Sequence, residues 1–150
     1  MQHRSDLSAT LANDPAERAR IHNVRSPDWC NPTPAQRYNL VIVGAGTTGL
    51  TAARNAAALC AKVALIERDL LGGTCLNIGC VPSKAIIRTS RLYAEMRHAD
   101  QYGAQIPADI RVEFAAATQP VRGTRARITR PRPVRRRLAA GVGVWGGEAR

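Results

Sequence analysis

Two short apolar runs, YNLVIV at 38–43 and AKVALIE at 61–67, are the clearest strand signals in the chain. The first is rich in β-branched residues and reads as a strand buried on both faces. A glycine-rich turn and the helical stretch LTAARNAAALC lie between the two runs. The order is strand, turn, helix, strand, which is a parallel crossover unit. Further on, VPSKAIIRTSRLYAEMRHA has helical spacing, with Ile86, Leu92 and Met96 among its apolar positions. Pro82 falls in the first turn of that helix, where its missing N–H is harmless. The expected fold class is α/β with a parallel sheet, incomplete, flanked by disordered N- and C-terminal segments.

Those flanks follow from composition. Residues 1–37 are polar, include Pro27, Pro32 and Pro34, and show no sustained periodicity, so they read as an extension. Residues 121–150 are rich in Arg, Pro and Gly, and RPRPVRRR cannot be an ordinary helix interior. The folded unit is therefore expected at 38–120. A chain of 150 residues suffices for one domain. Aromatic residues are only 4%, so any core is built from Ala, Val, Leu and Ile.

The net charge of +11 suggests nucleic acid until it is divided. Residues 1–120 carry 13 basic and 10 acidic groups, whereas residues 121–150 carry nine arginines and one acid, Glu148. The charge belongs to the tail. It is clustered but lacks aromatic interleaving or a recognisable module, so a basic nucleic-acid-binding protein is the weakest reading. No apolar run approaches the roughly 18 residues of a membrane span, and MQHRSDLSAT lacks the apolar stretch of a signal peptide. The expected location is cytoplasmic, with no membrane partner.

The turn Gly44-Ala45-Gly46-Thr47-Thr48-Gly49 carries the first chemical signal. Gly44 serves the tight turn, Gly46 the close approach of a pyrophosphate, and Gly49 the packing of helix on strand. The helix start offers free N–H groups and a positive dipole end to phosphates. Glu67, closing the second strand, can accept hydrogen bonds from ribose hydroxyls. Glycine turns also occur for purely structural reasons, but here strand, helix and acid fall in the register of the Rossmann fingerprint. The unit alone does not say which dinucleotide binds.

The second signal is GGTCLNIGCVPSK, residues 72–84. A disulfide needs Cα atoms about 4.4–6.8 Å apart, and residues at i and i+5 of a regular helix are farther apart. The segment from Cys75 to Cys80 must therefore bend, with Asn77 and Gly79 tolerating unusual dihedrals. Cys80 then sits at a helix N-terminus, which favours a thiolate, and Lys84 adds positive charge one turn on. A structural staple is disfavoured in a cytosolic chain. A zinc or iron–sulfur site would need about two more ligands, and neither Cys30, Cys60 nor the three histidines offer suitable spacing, so no metal site is expected. Cys60 reads as an inert packed residue. A redox pair is the reading the spacing favours.

Together, VIVGAGTTG, VALIE and LLGGTCLNIGCVPSK with the long helix after it resemble the class I pyridine nucleotide–disulfide oxidoreductases, over about residues 38–120. The resemblance implies FAD on Gly44, Gly46, Gly49 and Glu67, with Gly73 and Thr74 along the flavin side. It implies that Cys80 faces the flavin as a charge-transfer thiolate, that Cys75 is the interchange thiol, and that Lys84 lies near the flavin's reactive nitrogen. Electrons would pass from NAD(P)H through FAD to the Cys75–Cys80 disulfide, and then to a small disulfide or a metal-ion substrate.

Ser83 sets the chain apart from glutathione reductase-like members, which tend to have lysine there. SRLYAEMRHADQYGAQIP and the PxxWxNPTPxxRYNL lead-in place a mercuric reductase-like member first; Leu76 is more typical of dihydrolipoamide dehydrogenase, the alternative. A non-catalytic flavin-binding remnant differs from both only in activity.

Three departures from the family pattern stand out. Thr48 replaces a smaller residue in the turn. Cys60 stands where relatives often end the helix with glycine, in a left-handed conformation that costs a non-glycine residue about 1 kcal/mol. Family members also continue through a nicotinamide domain and a dimerisation domain that supplies an acid–base histidine, so the resemblance implies a homodimer and leaves activity of this chain alone in doubt. GVGVWGGEAR resembles a strand that follows in relatives, whereas PRPVRRR does not fit the stretch expected before it. A local reading-frame shift in a GC-rich gene would produce such a run.

Overall fold

The computed structural model describes residues 14–25, 28–107, 109–129 and 141–149. Strands β1 (Leu40–Val43), β2 (Val63–Glu67) and β3 (Val142–Gly146) form one open sheet of order β1-β2-β3, and both pairings are parallel. Helix α2 (Thr47–Ala58) makes the crossover from β1 to β2. Leu40 pairs with Val63, which pairs in turn with Val142. This is the Rossmann-like α/β unit that the two apolar runs and the glycine turn imply.

The burial of the first strand departs from expectation. Among the described residues β1 is an edge, and its Val41 and Val43 are 55% and 68% exposed. Val63 and Leu65 of β2 are 0% exposed, because β2 has a partner on each side. Around them pack Leu50 and Ala53 of α2, Leu71, Val24 and the β3 residues Val142 and Val144. Every buried member of this cluster is Ala, Val or Leu.

Helix α2 ends in a Schellman arrangement: Cys60 N–H donates to Ala57 O and Ala61 N–H to Ala56 O, both at 3.0 Å. Cys60 occupies the left-handed position with φ of 62°. It is exposed rather than packed, because that position turns the chain out of the helix.

Both flanks hold regular structure. Helix α1 (Pro15–Val24) lies inside the segment read as an extension. Asp14 caps it, accepting from Ala16 N–H at 2.8 Å and Glu17 N–H at 3.2 Å, and Pro15 opens it. It has no apolar stripe, since its buried residues are Glu17, Arg20 and Val24. That is why hydrophobic periodicity does not find it.

Helix α5 (Phe114–Thr129) runs straight through the expected boundary at 120. Pro120 has no N–H to donate within the helix, a defect costing about 3 kcal/mol in an exposed interior. Burial of Val121, Ala126 and Thr129 offsets it. β3 lies in the segment whose composition reads as a disordered tail, at the GVGVWGGEAR stretch whose resemblance to relatives implied a strand. The RPRPVRRR run and residues 1–13 lie outside the described residues.

The lead-in to β1 covers the far edge of β3. The Asn31 side chain accepts from Gly146 N–H at 2.8 Å and donates to Gly146 O at 3.0 Å, imitating a neighbouring strand. The Trp145 indole N–H donates to Pro32 O at 2.9 Å, and Tyr38 meets the Trp145 ring edge-on at 5.5 Å. A sheet edge that would otherwise attract other chains is thereby blunted.

Candidate functional site

The glycine turn after β1 has the geometry its spacing implies. Gly44 has φ of +100° and donates to Ile66 O at 2.7 Å. A Cβ on Gly49 would sit 2.0 Å from Gly44 O, so only glycine allows α2 to approach the turn. Gly46 differs: a Cβ there would meet nothing nearer than Gly73 Cα at 4.0 Å. It caps α2 without any side-chain hydrogen bond, leaving the helix start open to an anion.

Glu67 does more than end β2. One carboxylate oxygen accepts from Ala45 N–H at 2.7 Å and the other from Asp69 N–H at 2.9 Å. It thus fastens the glycine turn to the loop after β2 and keeps lone pairs free. A cleft of about 400 Å³ opens at the carboxyl ends of the strands, lined by Gly44, Glu67, Arg68 and Gly147 among others. Ligands of open parallel sheets bind at such an end.

The cysteine segment is seated on this same turn. Gly72 forms a parallel bridge with Gly46, and its N–H donates to Ala45 O at 2.8 Å. Gly73, with φ of +58°, comes so close that a Cβ would lie 2.8 Å from Gly46 Cα. Cys75 lies in the short helix α3 (Gly73–Asn77), beside the exposed Thr74. The chain breaks at Ile78 and Gly79, and Cys80 is the first residue of the 18-residue helix α4 (Cys80–Arg97). The bend lies at Gly79, where a Cβ would meet Thr74 O at 3.0 Å. Asn77 keeps helical backbone and acts through its buried side chain, contrary to the expectation of unusual dihedrals there.

Both thiols are free, Cys75 half-buried and Cys80 exposed. The Cys75 thiol is pushed above its ordinary value, first by hydrogen bonding with Cys80, then by desolvation and by the Cys80 charge. A hydrogen bond from Thr47 and the charge of Lys84 act in the opposite direction. The structure therefore brings Cys75, Cys80 and Lys84 together, beside the helix start that Gly46 caps. A second cleft, of about 320 Å³, is lined by Thr47, Leu50, Thr51, Arg54 and Cys75 among others. Cys80 does not line it. The two sulfurs therefore face different surroundings.

Sequence reasoning missed a buried polar cluster behind the cysteines. Arg20 Nε donates to Glu17 Oε1 at 3.1 Å, and a second guanidinium nitrogen of Arg20 pairs with the same oxygen. Arg20 Nη1 donates to Asn77 Oδ1 at 2.5 Å. From α5, Arg125 reaches Glu17 Oε2 at 3.1 Å and Asn77 O at 2.9 Å, while Arg122 pairs with Asp14 at 2.8 Å. Desolvation, with Arg20 and Arg122 nearby, lowers the Arg125 pKa, and Glu17 opposes that shift. The sequence signal was the helix start Asp14-Pro15 with Glu17 and Arg20 one turn apart. Nothing local pointed to Asn77 or Arg125.

Among the described residues no three of His, Cys, Asp and Glu converge on a metal position, and no helix is long and apolar enough to cross a membrane.

Residues 38–137 match the family model described as pyridine nucleotide-disulphide oxidoreductase. A dihydrolipoyl dehydrogenase of Bacillus subtilis is 42% identical over 108 residues, covering 72% of this chain and 20% of that protein. One from Chlamydia muridarum is 48% identical over 71 residues, 47% of this chain and 15% of the relative. One from Rhizobium etli is 34% identical over 109 residues, 73% and 21%. The chain thus spans about a fifth of the length of the curated relatives it matches. Their names favour the dihydrolipoamide alternative over the mercuric reductase-like reading placed first from sequence.

Proposed function

The chain belongs to the pyridine nucleotide-disulphide oxidoreductase family, and we propose that it carries the FAD-binding turn and redox disulfide of a dihydrolipoyl dehydrogenase-like enzyme. One observation carries this reading: Cys75, in α3, and Cys80, the first residue of α4, flank the bend at Gly79 on a loop seated directly against the dinucleotide turn, close enough for Cys80 to raise the Cys75 pKa.

The residues present fit FAD. Gly46 leaves open space where a pyrophosphate must approach, the first turn of α2 receives no side-chain cap, and Glu67 stands at the cleft where a ribose would lie. FAD, when bound, supplies the two-electron couple between a nicotinamide and the disulfide. Gly44, Gly46, Gly49 and Glu67 would hold it, with Gly73, Thr74 and Lys84 along its flavin side. A nicotinamide donor and a second copy of the chain belong to the same proposal.

The division of labour follows from the surroundings of each sulfur. A thiolate of a substrate dithiol attacks the Cys75 sulfur of the oxidised pair from the 320 Å³ cleft. Cys80 leaves as a thiolate, stabilised by the N-terminus of α4. The second substrate thiolate then attacks the substrate sulfur bonded to Cys75. The substrate leaves as a disulfide and Cys75 as a thiol, taking up a proton of the kind the substrate dithiol released to solvent on ionising, so one disulfide forms as one breaks and two electrons enter the pair. Hydrogen bonding, desolvation and the Cys80 charge all favour the protonated form of Cys75 that this step leaves.

The test uses the full chain loaded with FAD. Adding dihydrolipoamide to the oxidised protein should produce a long-wavelength absorbance outside the flavin's own bands. Cys75→Ser should show that absorbance without added thiol, and Cys80→Ser should lack it under all conditions. The reverse pattern, or no band in any form, would overturn the assignment.

A further inference from the structure

The polar cluster between α1, α3 and α5 takes no part in the exchange steps, yet it closes on the residue midway along the redox loop. Asn77 lies between the two cysteines and is 7% exposed. Its amide nitrogen donates to Gly73 O at 2.9 Å and Leu71 O at 3.4 Å. Its side-chain oxygen accepts from Arg20, and its backbone carbonyl accepts from Arg125. The two carboxylate oxygens of Glu17 hold these two guanidinium groups, one each. A planar guanidinium can grip a carboxylate with one edge and an amide with another, which an ammonium cannot do.

We propose that Arg20, oriented by Glu17 and assisted by Arg125, is a positioning residue that holds Asn77 and so sets the dithiol–disulfide equilibrium of Cys75 and Cys80. This rests on the reading of the pair as redox-active. An intramolecular disulfide is favoured in proportion to the effective concentration of one thiol at the other. A loop pinned at its midpoint keeps the sulfurs in reach. A loop released there spends less time in that geometry, and its disulfide is reduced more easily.

The experiment equilibrates the full chain in buffers of reduced and oxidised glutathione. The two thiols give two electrons and two protons to oxidised glutathione, which becomes two glutathione thiols as the Cys75–Cys80 bond forms. After acid quench and trypsin, both cysteines fall on one peptide, residues 69–84, separate from Cys30 and Cys60. The intramolecular disulfide then reads as a loss of two hydrogens.

Arg20→Lys keeps a charge beside Glu17 but loses the fork, and should shift the equilibrium about tenfold toward the dithiol, about 30 mV. Asn23→Ala removes the hydrogen bond from α1 to Thr129 of α5 without touching Asn77, and should stay within about twofold of the parent. Equal shifts in both variants would assign the effect to helix packing and overturn the proposal, as would an Arg20→Lys curve identical to the parent. If circular dichroism shows Arg20→Lys unfolded, Arg125→Lys carries the test, with the same shift expected and the same parental curve refuting it. A parent chain that forms no Cys75–Cys80 disulfide at any glutathione ratio overturns the redox reading itself, and the positioning role with it.

Discussion

Gly46 and Gly49 belong to one turn, but the structure separates their tasks, and alanine at each position should show it. On Gly49 the new Cβ lands 2.0 Å from Gly44 O and 3.2 Å from Gly44 C, against backbone that has nowhere to go. Helix α2 must retreat from β1 by about 1 Å, a gap that forfeits about a quarter to a half of each affected dispersion contact. Overpacking of this kind typically costs about 1–3 kcal/mol, and a backbone obstacle belongs at the upper end. Alanine's better helix propensity returns about 1 kcal/mol. The net loss of about 2 kcal/mol should lower the melting temperature by about 4–8 °C in a chain of this size.

Gly46 has φ of −70° and ψ of −174°, which alanine adopts freely, and its Cβ would meet only Gly73 Cα at 4.0 Å. Gly46→Ala should leave stability unchanged or raise it by about 0.4–1 kcal/mol through the unfolded state. Its methyl group would instead occupy the approach of the pyrophosphate, so FAD affinity should fall by about tenfold or more. Thermal melts of the flavin-free chain and titration of flavin fluorescence measure the two effects separately. Equal destabilisation by both alanines would make Gly46 a folding residue. Unchanged FAD binding in Gly46→Ala would remove the glycine turn from the cofactor site.

Two further outcomes follow from particular geometries. Alkylation of Cys75, located by fragmenting the 69–84 peptide (69–88 where Lys84 is replaced), should show a midpoint above the ordinary thiol value of 9.0. Cys80→Ala should move it down by removing both a hydrogen bond and a charge, and Lys84→Met should move it up; a profile indifferent to both would refute the coupling. Because the folded state holds this proton more tightly, the associated stability is present below the ordinary thiol range and lost as pH rises through the folded value. Cys60→Gly should raise stability by about 1 kcal/mol, since Cys60 pays for φ of 62°. An unchanged denaturation midpoint would show that the left-handed turn carries no such penalty.

The sequence by itself determined the crossover unit from β1 to β2, the roles of Gly44 and Gly49, and the placement of Cys80 at the head of α4. Each depends on neighbours close along the chain, where spacing and residue type carry the physical constraint directly. The tertiary structure decided which strand is central. β2 takes that place only because β3 pairs with it, and β3 comes from a segment whose composition suggested disorder. It also made elements of α1 and α5, whose inward faces are held by ion pairs as much as by apolar contact. Asn31 pairs with Gly146 across 115 positions, and Glu17 with Arg125 across 108. Such partners leave no period in the sequence, because two distant polar groups find each other only after the chain has folded and excluded the water that would otherwise serve both.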